Sequence, residues 1–196
     1  MRYGVPYHLI NLKPQFLESI NSSISNCQYD DAEIIVNDSE KSADQTISNR
    51  RKCKIGWLKD EEIQNHIFDM INGVNDVTGW KLDLRGIEPP QYTVYESGNY
   101  YDWHIDQNPY TTMSNGVEKR IRKLSTSIFL NEPDEYDGGE LELELAGPLH
   151  DSRNRSFKLT KGSAIIFQSD TWHRVLPVKS GVRKSLVVWS GGPPYI

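Results

Sequence analysis

Cysteine is nearly absent from this chain. There are two, Cys27 and Cys53, in 196 residues. Two thiols make no disulfide framework, so a reducing compartment is expected. Long apolar runs are missing as well. None approaches the roughly 20 residues that cross a bilayer, and residues 1–8 lack the apolar core of an export signal, so we expect a cytoplasmic protein without a membrane span. An excess of one charge sign is also lacking. The 22 basic and 27 acidic residues leave a net charge of −5, which disfavours non-specific binding to nucleic acid or anionic membrane as the main task. No internal repeat and no low-complexity linker divides the chain, so residues 1–196 read as one domain. A hydrophobic content of 37% with 25% charged residues is enough for a packed core and argues against disorder.

What is present falls into two textures. Residues 1–13 read as an extended segment or strand, and a helix follows with Pro14 in its first turn and Phe16, Leu17, Ile20 and Ile24 on one side. Residues 25–49 are rich in Asn, Asp and Ser and read as loop, with a short strand at residues 33–36 and a mobile stretch at 38–49. A second helix starts at the N-cap Asp60, with Glu61 and Glu62 in its first turn. Ile63, Ile67, Met70, Ile71 and Val74 form its apolar stripe, and Gly73 and Asn75 mark its expected end. His66 reads as an ordinary helix-surface histidine. From about residue 80 the chain turns to short β-type segments, at 80–84, 90–96, 101–106, 123–130, 140–145, 156–159, 163–168, 174–178 and 184–190. Turn residues such as Gly98-Asn99, Gly138-Gly139 and Lys161-Gly162 separate them. In Leu141-Glu142-Leu143-Glu144-Leu145 the leucines point to a core and the glutamates away from it. The expectation is a mainly β protein, a sandwich or jelly roll of residues 80–192. The helices of residues 1–79 would support one sheet, because each has one stripe to bury.

The stretch Tyr101-Asp102-Trp103-His104-Ile105-Asp106 carries chemistry. On a strand, side chains two apart share a face, so His104 and Asp106 can close on one metal ion. A second histidine, His173, lies in another β-type stretch and can complete a 2-His-1-carboxylate triad, the ligand set of non-haem Fe(II) oxygenases. Arg183 opens the otherwise apolar strand Arg183-Lys184-Ser185-Leu186-Val187-Val188-Trp189. A cation there needs an anionic partner, and a guanidinium matches a carboxylate with two parallel hydrogen bonds.

Four segments now fit together over residues 90–190. They are Gln91-Tyr92-Thr93-Val94-Tyr95-Glu96-Ser97-Gly98 with Trp103-His104-Ile105-Asp106, then Leu124-Ser125-Thr126-Ser127-Ile128-Phe129-Leu130, then Tyr136-Asp137-Gly138-Gly139-Glu140-Leu141, then His173 to Arg183. Together they resemble the Fe(II)/2-oxoglutarate-dependent dioxygenases, in particular the prolyl-hydroxylase-type branch with its PKHD-type hydroxylases. A fainter likeness extends upstream to Arg50-Arg51-Lys52-Cys53-Lys54-Ile55-Gly56-Trp57. The resemblance implies a double-stranded β-helix core and Fe(II) held by His104, Asp106 and His173. It also implies 2-oxoglutarate as co-substrate anchored by Arg183, with O2 as the second co-substrate. Tyr95, with Tyr92 as second choice, corresponds to the family's tyrosine near 2-oxoglutarate. Phe129 stands where relatives carry another tyrosine, leaving Thr126 or Ser127 to supply that hydroxyl. The Gly138-Gly139 turn is expected to be a tight hairpin without catalytic role.

The implied reaction is hydroxylation of a substrate C–H bond with release of succinate and CO2, the target being a prolyl or other peptide side chain. The same chemistry on a small molecule or a nucleobase is the alternative. The nucleobase ranks low, because the second arginine of that branch is replaced here by Trp189. A non-catalytic β-sandwich module that binds iron or 2-oxoglutarate is the third reading. Trp103, Trp172 and Trp189 read as packing around the site, and Lys119, Arg120, Arg122 and Lys123 as a solvated basic loop. Residues 107–117, with Tyr110 and Met113, are placed to act as a substrate lid.

Overall fold

In the computed structural model, residues 5–25, 27–31, 51–107, 120–146 and 152–195 are described. The expected strand at 33–36, the loop at 38–49, Lys119 and most of the lid segment, including Tyr110 and Met113, lie outside them. The chain begins with β1 (Tyr7–Asn11), α1 (Pro14–Ser25), β2 (Tyr29–Asp31), β3 (Arg51–Lys52), β4 (Lys54–Trp57) and α2 (Glu61–Val77). It continues with β5 (Gly86–Ile87), β6 (Gln91–Tyr95), β7 (Tyr100–His104), β8 (Ile121–Phe129), β9 (Tyr136–Gly138) and β10 (Leu141–Glu144). The last elements are β11 (Asn154–Phe157), β12 (Ser163–Gln168), β13 (His173–Val175), β14 (Val178–Gly181) and β15 (Arg183–Gly192).

Two antiparallel sheets carry the fold. The larger runs β1-β12-β8-β15-β6-β4-β2, with β5 added on β15, and the smaller runs β11-β10-β13-β7-β3. Consecutive strands alternate between them: β6 is in the larger sheet, β7 in the smaller, β8 in the larger, β10 and β11 in the smaller, and β12, β13 and β15 alternate again. This winding makes a double-stranded β-helix, the expected jelly roll, and sets β13 beside β7 with His173 directly opposite His104.

Each face of the larger sheet buries a separate core, because its strands alternate apolar side chains to both sides. On the outer face Ile20 of α1 and Ile63, Ile67, Ile71 and Val74 of α2 pack against Val94, Leu124, Ile128, Ile166, Leu186 and Val188. On the inner face Tyr95, Phe129, Ile165 and Phe167 meet Leu141, Leu143 and Val175 of the smaller sheet. Burying the four aliphatic side chains of α2 contributes on the order of 6–12 kcal/mol against exposure. The helix starts as its sequence dictates: Asp60 accepts from the backbone N–H of Ile63 at 3.1 Å, and Glu61 and Glu62 suit the dipole. His66 is exposed and stacks on Phe16, with ring centres 4.1 Å apart.

Several local expectations change. Helix α2 runs through Gly73 to Val77, because Asn75 serves as an anchor and not as a stop. Its buried side chain donates to the Leu82 carbonyl (2.9 Å) and accepts from the Leu82 N–H (3.0 Å). Residues 80–84 form no strand. The backbone turns through left-handed conformations at Gly79 and Lys81 (φ 74° and 51°), and Asn75 takes the polar groups that a ladder would have used. The segment 174–178 splits between β13 and β14. Gly138-Gly139 is no hairpin: β9 pairs with β14, and the two glycines (φ 71° and 67°) carry the chain from that small sheet into β10. In the expected solvated basic run, Arg122 and Lys123 are held against the fold. Arg122 forms two 2.6 Å bonds to Glu88 and lies 3.9 Å over the Trp189 ring, and Lys123 is buried. The alternation in β10 holds, with Leu141 and Leu143 buried and Glu142 bonded to Arg174 at 2.7 Å. Among the described residues no helix is long and apolar enough to cross a membrane.

Replacing Asn75 with Ala removes both ties to Leu82 and leaves two backbone groups without partners. Denaturant unfolding is expected to show a loss of about 1–3 kcal/mol in stability.

Candidate active site

Strand β7 ends at His104, and Asp106 sits in the bend beyond it. The shared-face argument therefore brings the carboxylate to the right side by a different route. The backbone N–H groups of Asp106 and Gln107 both donate to the Ser169 carbonyl, at 3.0 and 2.9 Å. Ser125 of β8 donates to Asp106 Oδ2 at 2.7 Å and shares a 2.9 Å bond with the Ser169 hydroxyl. The bend is thus fastened to the larger sheet, and its carboxylate turns back toward the strands.

The two histidines are oriented alike. Nδ1 of His104 lies 2.7 Å from the Asp102 carbonyl, and Nδ1 of His173 lies 2.9 Å from the Thr171 carbonyl. An Nδ1–H donated there leaves each Nε2 lone pair free. Both Nε2 atoms face Asp106, at 3.7 Å from Oδ1 for His104 and 3.3 Å from Oδ2 for His173. One ligand atom from each of the three residues lies within 4.8 Å of the others. Ligands at adjacent octahedral positions, each about 2.1 Å from a metal, sit about 3 Å apart, so this set fits one ion on one face. The Tyr101 ring stacks on His104 with centres 3.6 Å apart, and the Phe167 ring packs edge-on to His173.

Electrostatics act on the three groups in different directions. Burial pushes the His104 imidazole down to about 3, and neighbouring His173 adds to this. Burial alone would raise the Asp106 carboxyl, but the His173 charge and its hydrogen bond outweigh that and hold it below the usual carboxylate range. The same pairing raises His173 against the opposing effect of burial. Asp106 is thus ionised and His104 neutral, as a divalent cation needs, whereas His173 is biased toward a proton that an arriving cation must displace.

Arg183 lies deeper in the same cleft, whose open space is about 470 Å³ including the part that meets solvent. It is 1% exposed, donates from Nη1 to the Ser185 hydroxyl at 3.0 Å, and its buried Nε has no partner among the described residues. No carboxylate pairs with it there. A guanidinium buried among neutral groups, with the Ser185 hydroxyl and the Tyr136 phenol beside it, is costly unless an anion arrives. An anion entering the cleft would meet that need. Gly139 makes room for the arginine stem, since a Cβ there would sit 3.1 Å from Arg183 Cδ and 2.9 Å from Val178 Cγ2.

Tyr95 is the register partner of Arg183 across β6 and β15, its ring centre 5.3 Å from the guanidinium carbon. Burial holds its phenol far above the usual value. Tyr92 points to the opposite, helix-covered face and is not part of the cleft. Phe129 packs 5.4 Å from the same guanidinium and offers no hydroxyl; of the two substitutes considered, Ser127 shares its face of β8 and Thr126 does not. Trp189 is buried and lines the cleft, whereas Trp172 is 46% exposed and Trp103 lies under Arg174 at 4.6 Å. The sequence reading missed Ser125, Ser169, Tyr101, Ser185 and Arg51. The three hydroxyl residues in the middle of buried β8 were a legible signal, because polar groups in a core strand need partners.

The double-sheet winding and the converging His/Asp set define a class: a jelly roll with a cluster at its mouth that can hold a metal. A sequence model of the 2OG-Fe(II) oxygenase superfamily matches residues 90–191. The chain belongs to that superfamily, whose cofactors are Fe(II), 2-oxoglutarate and O2. A PKHD-type hydroxylase of Delftia acidovorans is 37% identical over 130 residues, 66% of this chain and 54% of that protein. One of Nitrobacter winogradskyi is 31% identical over 131 residues, again 66% and 54%. The chain thus spans about half the length of these curated relatives. Among solved structures, a Pseudomonas putida prolyl-4-hydroxylase aligns with TM-score 0.63 and 20% identity over 94% of this chain and 91% of that one. The viral collagen prolyl hydroxylase of Paramecium Bursaria Chlorella virus-1 aligns with TM-score 0.65 and 22% identity over 96% and 97%. These two likenesses establish the fold.

Replacing Ser125 with Ala removes the hydrogen bond that aims Asp106. Metal titration is expected to show affinity reduced roughly 10- to 100-fold with little loss of fold.

Proposed function

We propose that the chain is an Fe(II)- and 2-oxoglutarate-dependent oxygenase that hydroxylates a C–H bond of a prolyl or other peptide side chain. The observation that carries this reading is one cleft lined by both the His104, Asp106 and His173 set and a buried Arg183 that pairs with no carboxylate among the described residues. The names of the curated relatives support a hydroxylase, and the prolyl hydroxylases among the structural neighbours support a peptide target. In this reading residues 1–196 act as one domain: the part before residue 80 supplies both supporting helices and also adds β1, β2 and β4 to the larger sheet and β3 to the smaller sheet of the 80–192 jelly roll. Both helices share the outer core of the larger sheet. Cys27 and Cys53 are both free, which suits the cytoplasm.

Fe(II), 2-oxoglutarate and O2 would supply the oxidising power, one oxygen atom entering the substrate as hydroxyl and the other entering succinate as CO2 leaves. The protein's share is positioning. His104, Asp106 and His173 would hold the ion on one face and leave about three positions open. Arg183 would take the far carboxylate of 2-oxoglutarate as a two-bond fork, with Ser185 fixing the arginine and Tyr95 closing one side. The apolar walls, Leu141, Phe167, Val175 and Val187, would keep bulk water from the reacting centre.

Purified protein with Fe(II) and 2-oxoglutarate is expected to form succinate slowly without substrate. His173→Ala should abolish this. Arg183→Gln should raise the 2-oxoglutarate concentration needed for half-maximal rate by about tenfold or more. Succinate formation that survives His173→Ala undiminished would remove the iron site from the proposal. A substrate is expected to reveal itself as a mass gain of one oxygen that requires both O2 and 2-oxoglutarate.

A further inference from the structure

The proposed reaction uses one arginine, and the cleft holds a second. Arg51, on β3, lines the same cleft as the His/Asp set. Its strand lies at the edge of the smaller sheet, paired with β7 so that Arg51 faces Tyr101. The side chain is held firmly. Nε donates to Cys53 Sγ at 3.0 Å, and Nη2 donates to Gln91 Oε1 at 2.7 Å. The guanidinium lies over the Tyr101 ring, 4.8 Å from its centre, and that ring stacks on His104. Arg51 is therefore one aromatic ring away from a proposed metal ligand.

Its bonding is incomplete in charge. A guanidinium has five N–H donors, and the two bonds use only two. Both acceptors are neutral: a side-chain amide and a thiol that burial pushes above its ordinary value, with Arg51 only partly offsetting this. No carboxylate among the described residues pairs with Arg51. Holding a cation in a cleft with neutral partners is costly, and the cost is relieved when an oxyanion enters. Arg51 sits on a different strand and a different sheet from Arg183, although both guanidiniums act on Tyr95 and Cys53. Arg183 is enclosed between Tyr95, Phe129 and Gly139 on β15, whereas Arg51 is only partly buried on an edge strand, beside the ring that covers His104.

We propose that Arg51 is a second carboxylate seat, which receives a carboxylate carried by the substrate while Arg183 holds 2-oxoglutarate. The substrate class is then an acid: a free amino or small carboxylic acid, or a peptide with an acidic side chain or free C-terminus near the oxidised carbon. Tyr101 forms the floor of this seat, Gln91 and Cys53 fix its direction, and the anion fixes which C–H bond faces the metal. The inference rests on the oxygenase reading above.

The test is anaerobic calorimetry on protein loaded with Fe(II) and saturating 2-oxoglutarate, titrated with a set of N-acetylated amino acids and with their amides. At least one carboxylate is expected to bind about tenfold or more tightly than its amide. Arg51→Gln should erase that preference while changing 2-oxoglutarate affinity by less than about twofold, and Arg51→Lys, which keeps the charge without the fork, should restore part of it. The proposal is overturned if no carboxylate outbinds its amide in the unmodified protein, or if Arg51→Gln keeps the preference. It is equally overturned if Arg51→Gln weakens 2-oxoglutarate and spares the second acid, since Arg51 would then belong to the co-substrate. Should the Gln variant fail to fold, as judged by its thermal transition, the acid-against-amide comparison in the unmodified protein decides alone. Protein that takes up no 2-oxoglutarate fails at the loading step, which overturns the oxygenase reading and is seen before any acid is added.

Discussion

The arrangement of the site depends on how one carboxylate is turned. Asp106 lies just past the end of a strand, where backbone direction is no longer set by a ladder. Its position is restored by the serine pair that spans two neighbouring strands of the larger sheet, Ser125 on β8 and Ser169 after β12. With Asp106 fixed, both histidines have a partner for Nε2, and their own backbone bonds at Nδ1 allow no other presentation. The histidines come from paired positions of two strands in the smaller sheet, and the serines come from the larger one. The candidate metal centre therefore joins the two sheets, and it exists only where they are correctly packed.

The two faces of the larger sheet do different work. The outer face is apolar, carries both helices, and supplies much of the burial that stabilises the domain. The inner face carries serines, a threonine, Gln91, Tyr95 and Arg183 among its apolar residues. Polar groups in such a place cost stability unless bonded. Several are bonded in pairs, and others, such as Arg183 Nε, have no partner among the described residues. Stability lost on the side of the chemistry is offset by packing on the side away from it.

Much of this was legible in the residues. Alternation gave the strands of the jelly roll, because a half-buried strand must repeat every two residues. The cap at Asp60 and the stripe from Ile63 to Val74 gave α2. The spacing of His104, Asp106 and His173 indicated a set able to hold a metal, and Arg183 stood out as a cation opening an otherwise apolar strand. What escaped has a physical cause in each instance. Asn75 looked like a helix stop because propensity cannot see a side chain bonded across a turn to Leu82. Gly138-Gly139 looked like a hairpin because local sequence does not say which sheet the next strand joins. Arg122 and Lys123 looked solvated because charge alone does not reveal Glu88 or Trp189. Arg51 lay on a two-residue strand whose place beside Tyr101 is fixed only by tertiary pairing.

Strand β15 serves both cores at once. Arg183, Ser185, Val187 and Trp189 line the cleft, and Leu186 and Val188 between them belong to the helix-covered core. The strand behaves like text read in a fixed frame, with odd positions spelling chemistry and even positions spelling stability. Gaining or losing one residue shortly before it would exchange the two messages, driving the guanidinium into the apolar layer and a leucine into the cleft. Length is thus confined by parity as well as by size across the turn that precedes Arg183, and composition is confined there too at Gly181, whose φ of 75° and contact with the Glu135 carbonyl oxygen leave no room for a side chain.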